Sequence, residues 1–188
     1  MVQFLIIFLL LVGLSIYSRI VNLLNLKLES LHKINWYKFA FLSRKHLVKL
    51  STGDFEDWCV NFLERQKYKH VTIVPTWNDT KYKTITCLKA SQEYYVFCKQ
   101  TKEISEKEDD YEKIGKDQLQ KFIGTLEHDH ISNGIVITTG NFTFRANEYA
   151  LNLPKRISLQ LFDGISVTKE HRKLREEEVS LLIQQENI

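Results

Sequence analysis

Cysteine is scarce and poorly spaced for chemistry: Cys59, Cys87 and Cys98 are the three present, and no Cys-x-x-C pair occurs among them. That spacing points to neither a disulfide framework nor a zinc site, and leaves three small buried hydrophobes in a reducing compartment. Proline is rarer still, and Pro75 and Pro154 each close an element. No internal repeat or low-complexity tract is present. Also lacking is a surplus of base where a polyanion-binding domain would need it. The net charge is +3, but Met1 to Leu50 carries seven Lys/Arg against one Glu, Ser51 to Thr168 carries 15 against 17, and Lys169 to Ile188 carries four against five. The excess lies wholly in the first 50 residues. The rest of the chain has no global charge with which to neutralise several phosphates at once, so only a local basic patch is open to it.

Charge is absent altogether from Met1 to Ser18, and Phe4 to Val12 is an unbroken apolar run. A helix over residues 2–24 would span ~34 Å at ~1.5 Å per residue, enough to cross a hydrocarbon core of ~30 Å with Arg19 snorkelling. Residues 1–24 therefore read as a transmembrane anchor. A cleaved signal peptide would need a basic n-region and a small-x-small site, and neither is present. A buried core helix would need a matching apolar surface, which no other stretch offers. Arg19, Lys27, Lys33, Lys38, Arg44, Lys45 and Lys49 all lie beyond the apolar run, which assigns the C-terminal part to the cytoplasm. Residues 25–50 form a basic and aromatic juxtamembrane segment, in which Trp36, Tyr37, Phe39 and Phe41 interleave with Lys38, Arg44 and Lys45. That mixture suits anionic lipid headgroups, packing onto the domain, or nucleic acid.

Beyond residue 50 the pattern is that of a folded domain, 51–168, and then a charged helix, 169–188. Thr52 is placed to cap a helix with Phe55, Trp58, Cys59, Phe62 and Leu63 on one face and Glu56 on another. Three strands come next: Val71 to Val74, Lys83 to Leu88, and Tyr94 to Cys98 across a short turn at Ala90 to Glu93. Residues 102–113 hold six acids against three lysines and read as a solvated loop. Asp117 opens a helix carrying Leu119, Phe122, Ile123 and Leu126, and Gly134 to Thr138 is a fully buried strand. Thr143 caps the next helix, Ile157 to Phe162 is the last strand, and Thr168 caps the C-terminal helix. The order helix, three strands, helix, strand, helix, strand predicts an α/β fold with a mixed central sheet flanked by helices. Two further motifs have plain alternatives. His128-Asp129-His130 fits a metal pair or a surface turn, and Asn141-Phe142-Thr143 fits a glycosylation site or a helix cap.

Five stretches in order carry a family likeness: TGDFE at 52–56, VTIVPTWND at 71–79, FCK at 97–99, IGKDQLQKFIGTL at 114–126 and GIVITTGNFT at 134–143. Together they resemble the Mrr-like restriction endonuclease domain of the PD-(D/E)xK nuclease superfamily. The resemblance implies a restriction-endonuclease-like core in which a helix glutamate, an Asp opening the second strand and a Glu/Gln-x-Lys on the third surround Mg²⁺. Carboxylates hold the hard cation, which polarises the phosphoryl group, while the lysine orients or deprotonates water. On this pattern Glu56 matches the helix glutamate, Lys99 the catalytic lysine, and Asp79 the first acid of the turn and a candidate metal ligand. The second acid position reads Lys83, and the Glu/Gln position reads Phe97. An ammonium repels a dication and a benzyl ring offers no oxygen, so the metal site is expected to fail unless Asp79 or Glu93 moves in.

Three functions are compatible with these residues. The first is a membrane-tethered, DNA-binding domain with lost or impaired cleavage and no metal cofactor, with Lys81, Lys83, Lys99, Lys102, Lys116 and Lys121 as a local basic patch and Gln118 at a DNA-facing family position. The second is an active type IV restriction or repair endonuclease using Mg²⁺ through relocated ligands. The third is a structural or regulatory membrane protein that uses the fold to bind a protein partner.

Overall fold

Five strands form the central sheet: β1 (Lys69–Pro75), β2 (Lys83–Lys89), β3 (Gln92–Lys99), β5 (Asn133–Thr138) and β7 (Ser158–Phe162), side by side in that order. The first three are antiparallel and the last three parallel, so the sheet is mixed. A two-stranded parallel ribbon, β4 (Lys113–Ile114) with β6 (Asn141–Phe142), stands beyond the ends of β3 and β5. The computed structural model describes residues 17–21, 43–75, 83–101, 104 and 111–186. Residues 1–41 and 42–188 are separate units, and the sheet and the helices that cover it belong to the second.

The anchor expected over residues 1–24 lies, apart from the helical residues 17–21, outside the described residues. Among the described residues no helix is long and apolar enough to cross a membrane.

Strand alternation divides the core into two layers. A short helix, α1 (Arg44–Lys49), precedes them. On one face α2 (Thr52–Arg65) lays Phe55, Trp58, Cys59, Phe62 and Leu63 over Ile85, Cys87, Val96, Ile135 and Ile137, all almost fully buried. Trp58 lies near-parallel to Phe55 and Phe62, Phe62 meets Phe162 edge-on at 5.8 Å, and Trp58 touches His171 of α5 (Gly164–Glu186). On the other face α3 (Lys116–His128) and α4 (Phe144–Leu151) enclose a cluster built on Ile114, Leu119, Phe122, Leu126, Val136 and Ala146. Gly134 permits this contact, since a Cβ there would stand 2.7 Å from Leu126 Cδ1 and 3.0 Å from Phe122 Cε1.

The fold departs from the expected pattern mainly at element ends. Ser51, not Thr52, caps α2, because its Oγ accepts the Asp54 N–H at 3.1 Å. The C-terminal helix starts at Gly164 rather than after Thr168: Asp163 Oδ1 accepts the Ser166 N–H at 2.7 Å, and a carboxylate cap upstream takes the role assigned to Thr168. The hydroxyl of Thr168 bonds back to the carbonyls of Gly164 and Ile165 inside the helix. Glu56, expected away from the core stripe, is 8% exposed. The stretch expected as a solvated loop ends in a buried Tyr111 and in β4. Arg44, counted with the basic flank, sits in α1 and is buried with Leu47.

Candidate functional site

The strand ends position Lys99. β3 and β5 pair in parallel up to Lys99 and Thr138, and alternation sets Lys99 on the face that also bears Phe97. Beyond Thr138 the chain turns through Thr139 and Gly140, and a Cβ on Gly140 would collide with the Glu112 carbonyl oxygen. The backbone of Glu112 is thereby brought hard against the turn. Its side chain reaches the lysine, with Lys99 Nζ 3.0 Å from Glu112 Oε1. The lysine side chain is 12% exposed and the carboxylate 47%, so the acid forms the solvent side of the pair.

A buried frame supports this corner. The Arg44 guanidinium lies 3.7 Å from the centre of the Tyr111 ring, donates from Nε to the Thr139 carbonyl at 2.7 Å and from Nη2 to Asn141 Oδ1 at 2.8 Å. The Thr101 N–H donates to Thr139 Oγ1 at 2.8 Å, and Gln100 Nε2 donates to the carbonyls of Leu47 and Leu50. Residues from α1, the end of β3, the turn after β5 and the start of β4 thus hold one another in place. Sequence reasoning missed Glu112, Arg44, Gln100 and Thr139 because each partner lies 13 to 97 residues away.

Of the positions implied by the resemblance, the described ones lie on both faces of the sheet. Phe97 stacks on Phe122 at 5.8 Å, so the ring is part of the α3-side core. Its Cα neighbours are Thr84 on β2 and Val136 on β5. Position 83, expected as the lost second acid, pairs with Pro75, and it is Thr84 that stands directly across from Phe97. The Lys83 side chain, and Asp79, Lys81 and Lys102 entirely, lie outside the described part of the structure. Glu56 belongs to α2, which covers the opposite face of the sheet, and its carboxylate is one of the groups that raise the Cys59 thiol pKa, after burial and the neighbouring Cys98. Lys116 and Lys121 are exposed on α3. Lys116, Arg145, Tyr149 and Gln120 line an open cavity of about 600 Å³ between α3 and α4, together with the acids Asp117 and Glu148. Gln118 in the first turn of α3 keeps its Oε1 buried, with no hydrogen-bond partner among the described residues.

Magnesium takes about six oxygens in near-octahedral geometry. Beside Lys99, one described carboxylate is present, and it is bound to the lysine itself. The Glu/Gln position is an aromatic ring committed to the core. Among the described residues no group of three or more His, Cys, Asp or Glu side chains is placed to hold a metal ion. Asp79, the implied ligand, lies outside the described residues, which supply this one carboxylate beside Lys99.

His128-Asp129-His130 has a structural role. His130 has φ 59°, its N–H bonds the Glu127 carbonyl, and the Ile131 N–H bonds the Leu126 carbonyl, which is the paired-bond stop of a helix with His130 in the position usually held by glycine. The glycosylation-like triplet is a cap, because Thr143 Oγ1 accepts the Ala146 N–H at 3.2 Å.

No curated protein matches the chain. Among solved structures, the DNA modification-dependent restriction endonuclease AspBHI is similar at 11% identity and TM-score 0.52, over 69% of this chain and 35% of that one. A protein of unknown function, AF1548, is similar at 15% identity and TM-score 0.41, over 57% and 55% of the two chains. The MspJI restriction endonuclease, in complex with a 27-mer oligonucleotide, is similar at 15% identity and TM-score 0.32, over 70% and 34%. The chain spans about a third of the length of AspBHI. The catalytic-domain model of the Mrr type, described as restriction endonuclease, matches residues 47–169. With its mixed sheet, its lysine at the end of the third strand and this match over most of its length, the chain belongs to the Mrr catalytic-domain family of restriction endonucleases.

Proposed function

We propose that this chain binds DNA through the Lys99 corner without hydrolysing it, and that residues 1–24 tether it to a membrane with the domain on the cytoplasmic side. The reading of lost hydrolysis is supported by the Phe97 to Phe122 stack, since the resemblance implies an oxygen donor at position 97 and the side chain there is a ring packed on another ring. Binding rests on the cations near that corner. Lys113 follows Glu112 in the chain and is exposed, as are Lys116 and Lys121 on α3 and Arg145 on α4. A few phosphate contacts of this kind give binding that weakens steeply with salt. The membrane tether is supported by the uncharged run from Met1 to Ser18 and the basic residues beyond it.

One observation favours a second reading, cleavage through relocated ligands: Glu112 supplies a carboxylate beside Lys99 that the family pattern does not predict. Plasmid nicking in Mg²⁺ or Mn²⁺, measured beside duplex binding over a salt series, separates the readings. Salt-sensitive binding with no nicking is the expected result. Nicking by the native chain would establish the second reading, and an absence of duplex binding at low salt would leave a protein partner as the role of the fold.

A further inference from the structure

The Lys99 to Glu112 pair presents a choice of anion to a single lysine. Lys99 is nearly covered, and the group on its solvent side is the Glu112 carboxylate. A phosphodiester approaching the lysine from solvent meets that carboxylate first, with the same charge and the same demand for N–H donors. The carboxylate is held in place by its backbone. Tyr111 is buried beneath Arg44, the Glu112 carbonyl packs against Gly140, and Lys113 and Ile114 pair with Asn141 and Phe142. The side-chain torsions of Glu112 are left to move, and the carboxylate end of the pair is half-exposed, so water and an incoming anion can compete for it.

Resting on the DNA-binding reading above, we infer that Glu112 is a built-in competitor of the DNA phosphodiester for Lys99, so that DNA engages the lysine only by displacing this carboxylate. In the free protein the lysine is neutralised and shielded. In the complex Glu112 turns to solvent and the phosphate takes its hydrogen bond. The competitor lowers affinity for any single phosphate and reserves Lys99 for a ligand whose other phosphates are held at the same time by the exposed lysines on the neighbouring elements.

The test uses the full chain in four forms: native, Glu112→Gln, Lys99→Ala, and the double variant, with thermal melts confirming that each is folded. Duplex affinity is read by fluorescence anisotropy of a labelled oligonucleotide. In the absence of DNA, acylation of Lys99 by a water-soluble succinimidyl ester is read by mass spectrometry. Glu112→Gln is expected to bind roughly two- to fivefold more tightly, to lose that gain in the Lys99→Ala background, and to be acylated faster at Lys99. An equal gain in both backgrounds reports only the removal of a repelling charge and overturns the competitor role. Unchanged acylation overturns it as well. Duplex binding absent from all four forms overturns the DNA-binding reading itself, and the competitor role with it.

Discussion

Phe97 and Thr84 face each other across β2 and β3, and this adjacency decides how a metal site would have to be rebuilt. The resemblance implies Lys83 at the second acid position, whereas Thr84 is the residue across from Phe97, and a strand reverses its side chains at every residue, so the two positions face opposite sides. Phe97→Glu combined with Thr84→Asp is expected to restore Mg²⁺-dependent nicking more than Phe97→Glu with Lys83→Asp, as measured on supercoiled plasmid. The reverse ranking would show that the acid belongs at 83. A second residue-scale consequence concerns His171, buried at 5% exposure against Trp58. Burial first, then Arg65 and Arg175, lower its pKa from 6.5 to about 4. Between those values the unfolded chain holds a proton that the folded chain refuses. The stabilisation is therefore complete above pH about 6.5, falls as pH drops towards 4, and levels off below. A shift of this size corresponds to a loss on the order of 3 kcal/mol. His171→Phe should show a correspondingly smaller loss of denaturant stability between pH 7.5 and pH 4.5. Arg44 is the third residue whose weight lies in tertiary contacts. Replacing it with Met strands the Thr139 carbonyl and Asn141, at a cost of about 2–3 kcal/mol in chemical denaturation.

Elements were legible where local chemistry is self-sufficient. The β-branched runs of β1 to β3, the apolar stripes of α2 and α3 and the cap at Thr143 are set by neighbours three or four residues away, and the structure keeps them all. Ends that depend on competition between adjacent caps shifted, as with Ser51 against Thr52 and Asp163 against Thr168. Several ends are strained. Ala90 and Ser91, with φ 50° and 64°, form the two-residue turn between β2 and β3 in the geometry that Asn-Gly adopts most readily. Lys67 and His130 hold the left-handed position that closes α2 and α3. Each L-residue in that region costs about 1 kcal/mol. Ala90→Asn with Ser91→Gly, and separately His130→Gly, should each raise the denaturation midpoint without altering DNA binding. A lower midpoint for His130→Gly would mean that His128-Asp129-His130 does more than end a helix.

At the scale of the whole molecule, the proposed tether rests on the uncharged run from Met1 to Ser18 and the basic residues that follow it, and fractionation tests it. Alkaline carbonate should leave the full chain in the membrane fraction, and a chain starting at residue 42 should be released from it. Recovery of both in the supernatant would show that residues 1–24 do not anchor the protein. The sequence by itself determined the fold class and the hairpin of β2 and β3 within a mixed sheet, because these depend on periodicity and on short motifs in a recognisable order, and it singled out Lys99 as the candidate through the resemblance. Only the tertiary structure decided what Lys99 touches. Glu112 sits 13 residues on in a stretch whose composition reads as solvated, and it reaches the lysine because Gly140 from the turn after β5 packs on its carbonyl and Arg44 from α1 holds the neighbouring Tyr111 ring. A contact whose partners are fixed by other long-range contacts has no local signature, and only the closed fold contains it.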